Sequence, residues 1–210
     1  MKNLLSKDKW KFAFHTVSHP ADGFYEIRHR DRGSVVVALI LVILFSVAWS
    51  VNRISAGFIV NDIDPREVDS LSELITVLLF FLLLCVSNWS ITCLMDGKGR
   101  FKDIVIAIGY STLPATICII IGTVLSRFVS EDEAAFYYMV CGVGIAYTLF
   151  VMLVGIMTVH NFTLGKTLIT LFLTIVALLL IVFIVLLIVD LINQVYSFLY
   201  SIYQELLFRA

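Results

Sequence analysis

Five long stretches without a charged residue limit what this chain can fold into more than any other feature. They are 18 to 26 residues long, and a helix needs roughly 20 apolar residues to cross about 30 Å of hydrocarbon. All 31 Asp, Glu, Lys and Arg residues lie outside them. The stretches are Ser34–Val51, Leu74–Met95, Ile104–Ser126, Ala134–Val159 and Thr167–Val189. We therefore predict an all-α membrane protein with five transmembrane helices.

The composition excludes the main alternatives to a membrane protein. Hydrophobic residues make up 60% of the 210 residues and charged residues 15%, whereas soluble domains have about 45–50% and about 25%. A single short chain cannot bury that much apolar surface in a water-soluble core. Unbroken apolar runs such as Leu178–Val189 lack the alternation of barrel strands. The net charge of −1 gives no basis for a nucleic-acid partner.

The basic residues predict the orientation of the chain in the membrane. Eleven of the 15 Lys and Arg residues lie in segments 1–33, 96–103 and 160–166, which share one side if the chain crosses five times. The positive-inside rule places that side in the cytoplasm. We therefore expect a cytoplasmic N-terminus, an external C-terminus and a multi-pass location in the cell membrane.

Residues 1–33 form the predicted cytoplasmic N-terminal segment, which is amphipathic and basic. Trp10, Ala13, Phe14 and Val17 recur at helical spacing, and lysines occupy the other faces. A helix with this pattern is suited to the membrane interface. The five-span membrane domain is predicted to follow over residues 34–190.

Residues 191–210 form a predicted C-terminal amphipathic helix. No Gly or Pro occurs after Gly165, so a helix could run on from the fifth span. Apolar residues continue at helical spacing beyond Asp190, with tyrosines among them. This pattern favours a helix at the outer membrane interface. Docking on an external protein partner uses the same periodicity and stays an open alternative.

Several polar residues fall inside the predicted spans. Such residues commonly bond neighbouring helices, and a Pro kinks its helix. An alternative is a polar path for a small solute or lipid through the region of Asn88 and Pro114. No Asp, Glu, Lys, Arg or His lies in the spans, which argues against a proton relay. The intramembrane polar candidates are Asn88, Ser111, Thr112, Pro114 and Thr174.

The chain carries no recognisable catalytic or metal-binding motif. His15 and His19 have i, i+4 spacing, but Pro20 follows directly and no H-E-x-x-H is present. Neither a P-loop nor a G-x-S-x-G occurs. We therefore predict that the protein is not an enzyme and has no cofactor and no metal site.

The basic residues of the predicted cytoplasmic face are candidates for binding lipid or protein. Asp96-Gly97-Lys98-Gly99-Arg100 predicts a tight turn. Together with neighbouring cations it could form a collar for anionic headgroups or a partner. The alternative is that these basic residues only set the orientation of the chain in the membrane. The candidates are Arg28, Arg30, Arg32, Lys98, Arg100, Lys102 and Lys166.

A series of short segments resembles the Yip domain family, named for Ypt/Rab-interacting membrane proteins. The first segment contains His19, Pro20, Asp22, Gly23 and Phe24. The others are Asn88-Trp89, residues 94–103, Gly109-Tyr110 with Leu113-Pro114, His160-Asn161 and residues 164–167. The resemblance covers about residues 15–190 and is greatest to the short bacterial branch.

The resemblance implies a five-span, non-enzymatic membrane protein with a cytoplasmic N-terminus. Eukaryotic members resemble adaptors that bind Rab GTPases and shape or sort membranes. Bacterial relatives often lie beside genes for sugar-importing ABC transporters, which implies an accessory role. The expected partners are membrane lipids and another membrane protein, with an ABC transporter as one candidate, and a homo-oligomer stays open. A bacterial plasma membrane is the expected location.

Overall fold

The described residues of the chain are helical apart from short loops. The computed structural model describes residues 7–61 and 63–209, with the side chains of Leu206 and Arg209 outside that description. Residues 1–6 of the predicted N-terminal segment and Ala210 of the predicted tail lie outside it. Two short 3₁₀ turns are Pro65–Glu67 and Glu131–Glu133. The α-helices are α1 (Lys7–Ser18), α2 (Pro20–Arg30), α3 (Val35–Ser55), α4 (Ser70–Leu94), α5 (Phe101–Ser111), α6 (Leu113–Leu125), α7 (Ala134–His160) and α8 (Leu164–Arg209).

Five helical segments are long and apolar enough to cross a membrane, which confirms the predicted architecture. They are α3, α4, the α5–α6 pair, α7 and α8. The third span breaks at Thr112, and Pro114 lies in the first turn of α6, where its missing N–H breaks no helical hydrogen bond. The helix is therefore interrupted two residues before Pro114, next to the position where the sequence predicted a kink.

The third span forms the centre of the bundle. In the most apolar 18-residue stretch of this span, 72% of the residues are buried inside the protein. The corresponding fractions are 39% in α3 and 6% in α8. It packs on α3, α4 and α7, whereas α8 contacts α4 and, to a lesser extent, α7. The fifth span is therefore peripheral, and most of its apolar surface is left for lipid or another protein.

Small residues bring the central helices close together. A Cβ atom on Gly109 of α5 would lie 2.7 Å from Cβ of Ala38 in α3, and one on Gly144 of α7 would collide with Cys118 of α6. Close approach at small residues is typical of membrane helix pairs. Gly142 of α7, by contrast, has no neighbour within 4 Å.

The helix ends sort the loops into two groups at opposite ends of the bundle. We call residues 7–34, 95–103 and 160–166 the basic end. The opposite, acidic end holds residues 56–61, 63–69 and 126–133. At the acidic end, the Gly57 amide donates to the Ser126 hydroxyl over 2.9 Å, and Arg53 forms an ion pair with Glu73.

Helix α8 extends well beyond the length of a membrane span. It contains 46 residues, or about 69 Å at 1.5 Å per residue. Residues 191–209 continue the fifth span without a break, as the absence of Gly and Pro suggested. From Phe183 to Phe208 the described side chains are exposed, except for that of Gln204, which is partly exposed.

Candidate functional site

Helices α1 and α2 form a hairpin that packs onto the basic end of the bundle. A Cβ on Gly23 would lie 2.6 Å from Cα of Thr16, so only glycine permits this approach of α2 to α1. Phe24 is fully buried, and its ring lies against Gly155 of α7. The Tyr147 hydroxyl of α7 donates to the Val17 carbonyl over 2.9 Å. The hairpin is therefore docked on the bundle by specific contacts.

The apolar face of α1 differs in one position from the predicted face. Ala13 and Val17 are buried, and Trp10 packs partly on the core, as expected. Phe14, which was assigned to the same face, is 52% exposed, and Phe12 is buried in its place. Helical spacing alone did not show whether Phe12 or Phe14 would be buried. The face of α1 that contacts α2 includes Thr16, and Phe12 lies on that side of the helix.

Asp103 is a buried carboxylate at the centre of the basic end. It accepts hydrogen bonds from Nε and Nη2 of Arg100 at 2.9 and 3.2 Å. Arg28 of α2 approaches the same carboxylate at 3.4 Å. Asp103 also accepts the Arg100 amide, which belongs to the first turn of the third span. One carboxylate thus links the hairpin, the loop and the central helix.

Two other carboxylates neutralise most of the remaining basic candidates. Glu26 pairs with Arg30 at 3.1 Å and with Arg32 at 2.6 Å. Asp31 accepts from Arg100 at 2.6 Å and from Lys102 at 2.7 Å. Hydrogen bonds from Lys102 and then Arg100 lower the pKa of Asp31. The pKa of Arg100 is raised, chiefly by Asp103 and then by Asp31.

The predicted collar therefore consists mainly of internal ion pairs. Five of the seven candidate cations contact a carboxylate. Within the described part of the chain, Lys98 and Lys166 have no carboxylate partner. Lys98 is exposed, and Nζ of Lys166 lies 4.4 Å from the centroid of the Phe162 ring. These two lysines are the candidates left for an anionic ligand.

His160 holds the loop that carries Lys98. The imidazole is 1% exposed, and its Nδ1 accepts the Gly99 amide over 3.2 Å. A Cβ on Gly97 or Gly99 would lie 2.6 or 2.7 Å from the ring. Because Nδ1 is the acceptor, the neutral ring carries its proton on Nε2. This buried Nε2 has no partner among the described residues.

A cavity of about 390 Å³ opens beside these residues. Arg28 and His29 of α2, Lys98 of the loop, and Asn161 and Phe162 after α7 contribute to its wall. Tyr25 also lines it, and the Tyr25 ring stacks on His29 with centroids 4.1 Å apart. No carboxylate belongs to its described lining.

The intramembrane polar candidates form separate contacts. Asn88 donates to Thr174 over 3.1 Å, which links α4 to α8. Ser111 and Thr112 bond to carbonyls of their own helix, at Ala107 and Gly109. Of the intramembrane polar candidates, Asn88 is thus bonded only to Thr174 in the described structure. The Asn88 Oδ1 and Ser87 Oγ atoms are buried without a partner in the described structure.

His15 near the end of α1 and His19 at the N-cap of α2 stack on each other. The His15 and His19 rings lie 5.1 Å apart. In residues 7–61 and 63–209, no group of three His, Cys, Asp or Glu side chains is placed to hold a metal ion.

Sequence reasoning missed the acidic partners of the collar. Asp103, Asp31 and Glu26 neutralise cations that the sequence assigned to lipid or protein. The i, i+4 spacing of Glu26 and Arg30 was a readable signal. No such signal in the sequence indicated pairs between distant residues, such as Arg28 and Asp103.

Comparison with known proteins identifies the family. No significant match was found among curated proteins or among solved structures. The family model described as the Yip1 domain matches residues 14–187, which include the last turn of α1, all of α2 to α7 and the first half of α8. The resemblance noted in the sequence is thereby confirmed, and the chain belongs to the Yip1 domain family of membrane proteins.

Proposed function

We propose that this protein is a non-enzymatic scaffold or accessory protein of the membrane. It acts by holding a second membrane protein along its fifth span and lipid at its basic end. The first candidate partner is a sugar-importing ABC transporter, on the strength of the family resemblance. The proposed location is the bacterial plasma membrane, with the N-terminus in the cytoplasm.

The exposure of the fifth span carries this proposal. Only 6% of the residues in its most apolar 18-residue stretch are buried inside the protein. Polar contacts with α4 lie in its first half, where Thr174 bonds Asn88 and Thr170 bonds the Met95 sulfur over 3.2 Å. In lipid, helix association depends on close packing and polar contacts. A span fixed along one face and free along the rest is suited to holding a partner.

A mild-detergent pull-down of the tagged full chain from its native membrane tests the proposal. We expect one membrane protein to co-purify in fixed proportion. Replacement of three exposed residues of α8, Leu180, Phe183 and Leu187, by Ala should reduce its recovery at least about fivefold. The matched control replaces Leu39, Ile43 and Val47, which are exposed on α3. Equal recovery with both variants would contradict the proposed surface.

Reporter fusions test the proposed orientation independently. A phosphatase reporter that is active only outside the cytoplasm should be active at the C-terminus and inactive at the N-terminus. The 11 to 4 distribution of Lys and Arg between the two sides supports this expectation. Equal activity at both termini would contradict an odd number of crossings.

A small-solute or lipid transporter is the second candidate function. The buried, unpartnered oxygens of Ser87 and Asn88 favour it, because such atoms commonly bind water or a polar ligand. A flux assay in liposomes separates the two candidates. Solute flux that is lost on replacement of Asn88 by Leu would favour transport over a scaffold role.

A further inference from the structure

Two cavities at the basic end differ in the charge of the side chains that line them. The first lies between α2, the 97–99 loop and the end of α7. Its wall contains Arg28, His29 and Lys98 and no carboxylate in the described structure. A second cavity of about 410 Å³ lies along α1 and α2, and its wall combines two cations, Lys11 and Arg32, with three carboxylates, Asp8, Asp22 and Glu26. Of these two cavities of similar size, the first is therefore better suited to an anion, because no carboxylate in its described lining repels one.

Of the seven candidate cations, the two without a carboxylate partner, Lys98 and Lys166, lie at the first cavity or beside its wall. Lys98 forms part of its wall. Lys166 lies over the Phe162 ring, which is another part of the wall. Arg28 has one carboxylate contact, at 3.4 Å. Because no acidic side chain competes for Lys98 or Lys166, both ammonium groups are available to an anion from outside the chain.

The loop that carries Lys98 is held in place before any ligand arrives. Gly97 and Gly99 flank the lysine, and both pack against the buried His160 ring. The Gly99 amide also donates to Nδ1 of this ring. A lysine on a fixed loop loses less conformational freedom on binding than one on a mobile segment.

The position of the cavity indicates which anions can reach it. Its wall includes the last residues of α7 before His160, and Asn161 and Phe162 of the loop that leads to α8. Both helices are long enough to cross the membrane. Phospholipid phosphates lie just outside the hydrocarbon core, where spanning helices end. The volume of about 390 Å³ falls in the range of about 300–1,000 Å³ found for small-ligand sites.

We infer that this cavity binds a phosphate group, supplied by an anionic phospholipid or by a free phosphate compound. Lys98 and Lys166 bind the phosphate oxygens, and Arg28 orients the group from the α2 side. The Tyr25 and Phe162 rings cover the apolar part of the ligand. The inference rests on the proposed function and deepens it by naming the chemistry of the lipid site.

Native mass spectrometry of the purified full chain tests this inference. Detergent micelles containing phosphatidylglycerol provide one arm, micelles containing phosphatidylcholine a second, and inorganic phosphate in lipid-free micelles a third. We expect phosphatidylglycerol to bind at least about tenfold more tightly than phosphatidylcholine. Competition by inorganic phosphate would assign the site to a free phosphate compound, and its absence to the lipid headgroup.

Matched variants separate a specific site from a generally basic surface. The double variant Lys98→Gln with Lys166→Gln should lose at least about tenfold in phosphate-ligand affinity, since each cation near a membrane surface contributes about 1 kcal/mol. The control, Lys7→Gln with Lys11→Gln, removes the same charge from exposed residues of α1 and should bind as the parent does.

Equal losses in the two double variants, or no binding in any arm, would overturn the inference. Thermal unfolding of both variants establishes that they are folded. Capture of the membrane partner, measured separately, distinguishes failure of this site from failure of the scaffold proposal. If the protein still captures its membrane partner but binds no phosphate ligand, this inference is overturned and the scaffold proposal is not.

Discussion

The Asn88 side chain in α4 donates a hydrogen bond from Nδ2 to the Thr174 hydroxyl in α8 over 3.1 Å. Both residues are buried. The Thr174 hydroxyl in turn donates to the Thr170 carbonyl at 2.8 Å, so one short chain of hydrogen bonds ties the peripheral span to the bundle. In the described part of α8, residues from Phe183 onward add no buried side chain.

A double-mutant cycle of Asn88→Ala and Thr174→Val should therefore show positive coupling. We expect about 0.6 kcal/mol, which is the average for such contacts between membrane helices. The free energy of unfolding can be measured by SDS titration in mixed micelles. Thr76→Val, which changes an exposed hydroxyl bonded within α4, should show no coupling to Asn88→Ala. Coupling equal to that of the control would contradict the role of the pair.

The buried carboxylate of Asp103 should matter more to stability than any other acidic residue at the basic end. Asp103→Asn removes the charge that faces Arg100 and Arg28 and weakens the helix cap at Arg100. We expect the free energy of unfolding to fall by about 2 kcal/mol, because both arginines are partly exposed and regain some hydration.

Asp31→Asn is the matched control for Asp103→Asn. It removes a carboxylate that also binds Arg100 but is exposed to solvent. Exposed ion pairs contribute little to stability, so its effect in the same SDS titration should be clearly smaller. A larger loss for Asp31→Asn than for Asp103→Asn would refute the central position of Asp103.

The number, type and approximate bounds of the spans could be predicted from sequence because one physical cost determines them. Each charge placed at the bilayer centre costs about 2.5–3.5 kcal/mol on the insertion scale, so each charge-free stretch matches one helical span to within a few residues, except that α8 continues past the fifth stretch to Arg209. Pro114 marked the break in the third span for an equally local reason. The inward position of Asn88 followed from its polarity.

The partners of the basic residues could not be predicted, because tertiary contacts determine them. Arg28 and Asp103 are 75 residues apart in the chain and meet only when the α1–α2 hairpin docks on α5 and α7. The positive-inside pattern counts charges and does not say which are neutralised. For the same reason, the sequence could not single out Lys98 and Lys166 from their neighbours.

Lowered pH should weaken the Asp31 contacts only in strong acid. Hydrogen bonds from Lys102 and then Arg100 lower the folded-state pKa of Asp31. Its stabilising contribution is therefore fully present above the unfolded-state pKa of about 3.9 and is lost as the pH falls through the lower folded-state value. Carbon-13 NMR of Asp-labelled protein measures this titration. Lys102→Gln should raise the Asp31 pKa, and Lys7→Gln should not.

Replacement by alanine should have opposite effects on stability at Gly99, in the 97–99 loop, and at Gly142, which is exposed on α7. Gly99→Ala places a Cβ 2.7 Å from Val159 and His160, and we expect a loss of about 1–3 kcal/mol from overpacking. Gly142 has no neighbour within 4 Å and lies inside α7. Gly142→Ala should therefore stabilise the chain by up to about 1 kcal/mol. Thermal unfolding in detergent ranks both variants, and equal shifts would contradict the packing described.

The continuous α8 predicts that residues 191–209 stand clear of the bilayer. At 1.5 Å per residue the helix is about 69 Å long, more than twice the hydrocarbon thickness of about 30 Å. A helix without a break cannot both cross the membrane and lie along its surface. Single cysteines at Ser197 and Ser201, in a variant without the four native cysteines, should therefore react with a membrane-impermeant maleimide, whereas one at Leu180 should not.

Spin labels at the same positions distinguish this arrangement from the interfacial helix that the sequence favoured. A projecting helix gives high collision rates with a water-soluble nickel chelate at Ser197 and Ser201 alike, since both lie beyond the span. An interfacial helix gives alternating oxygen and nickel accessibility with a period of 3.6 residues when the scan extends over 191–205. Such alternation would require a bend near Asp190, contrary to the unbroken helix.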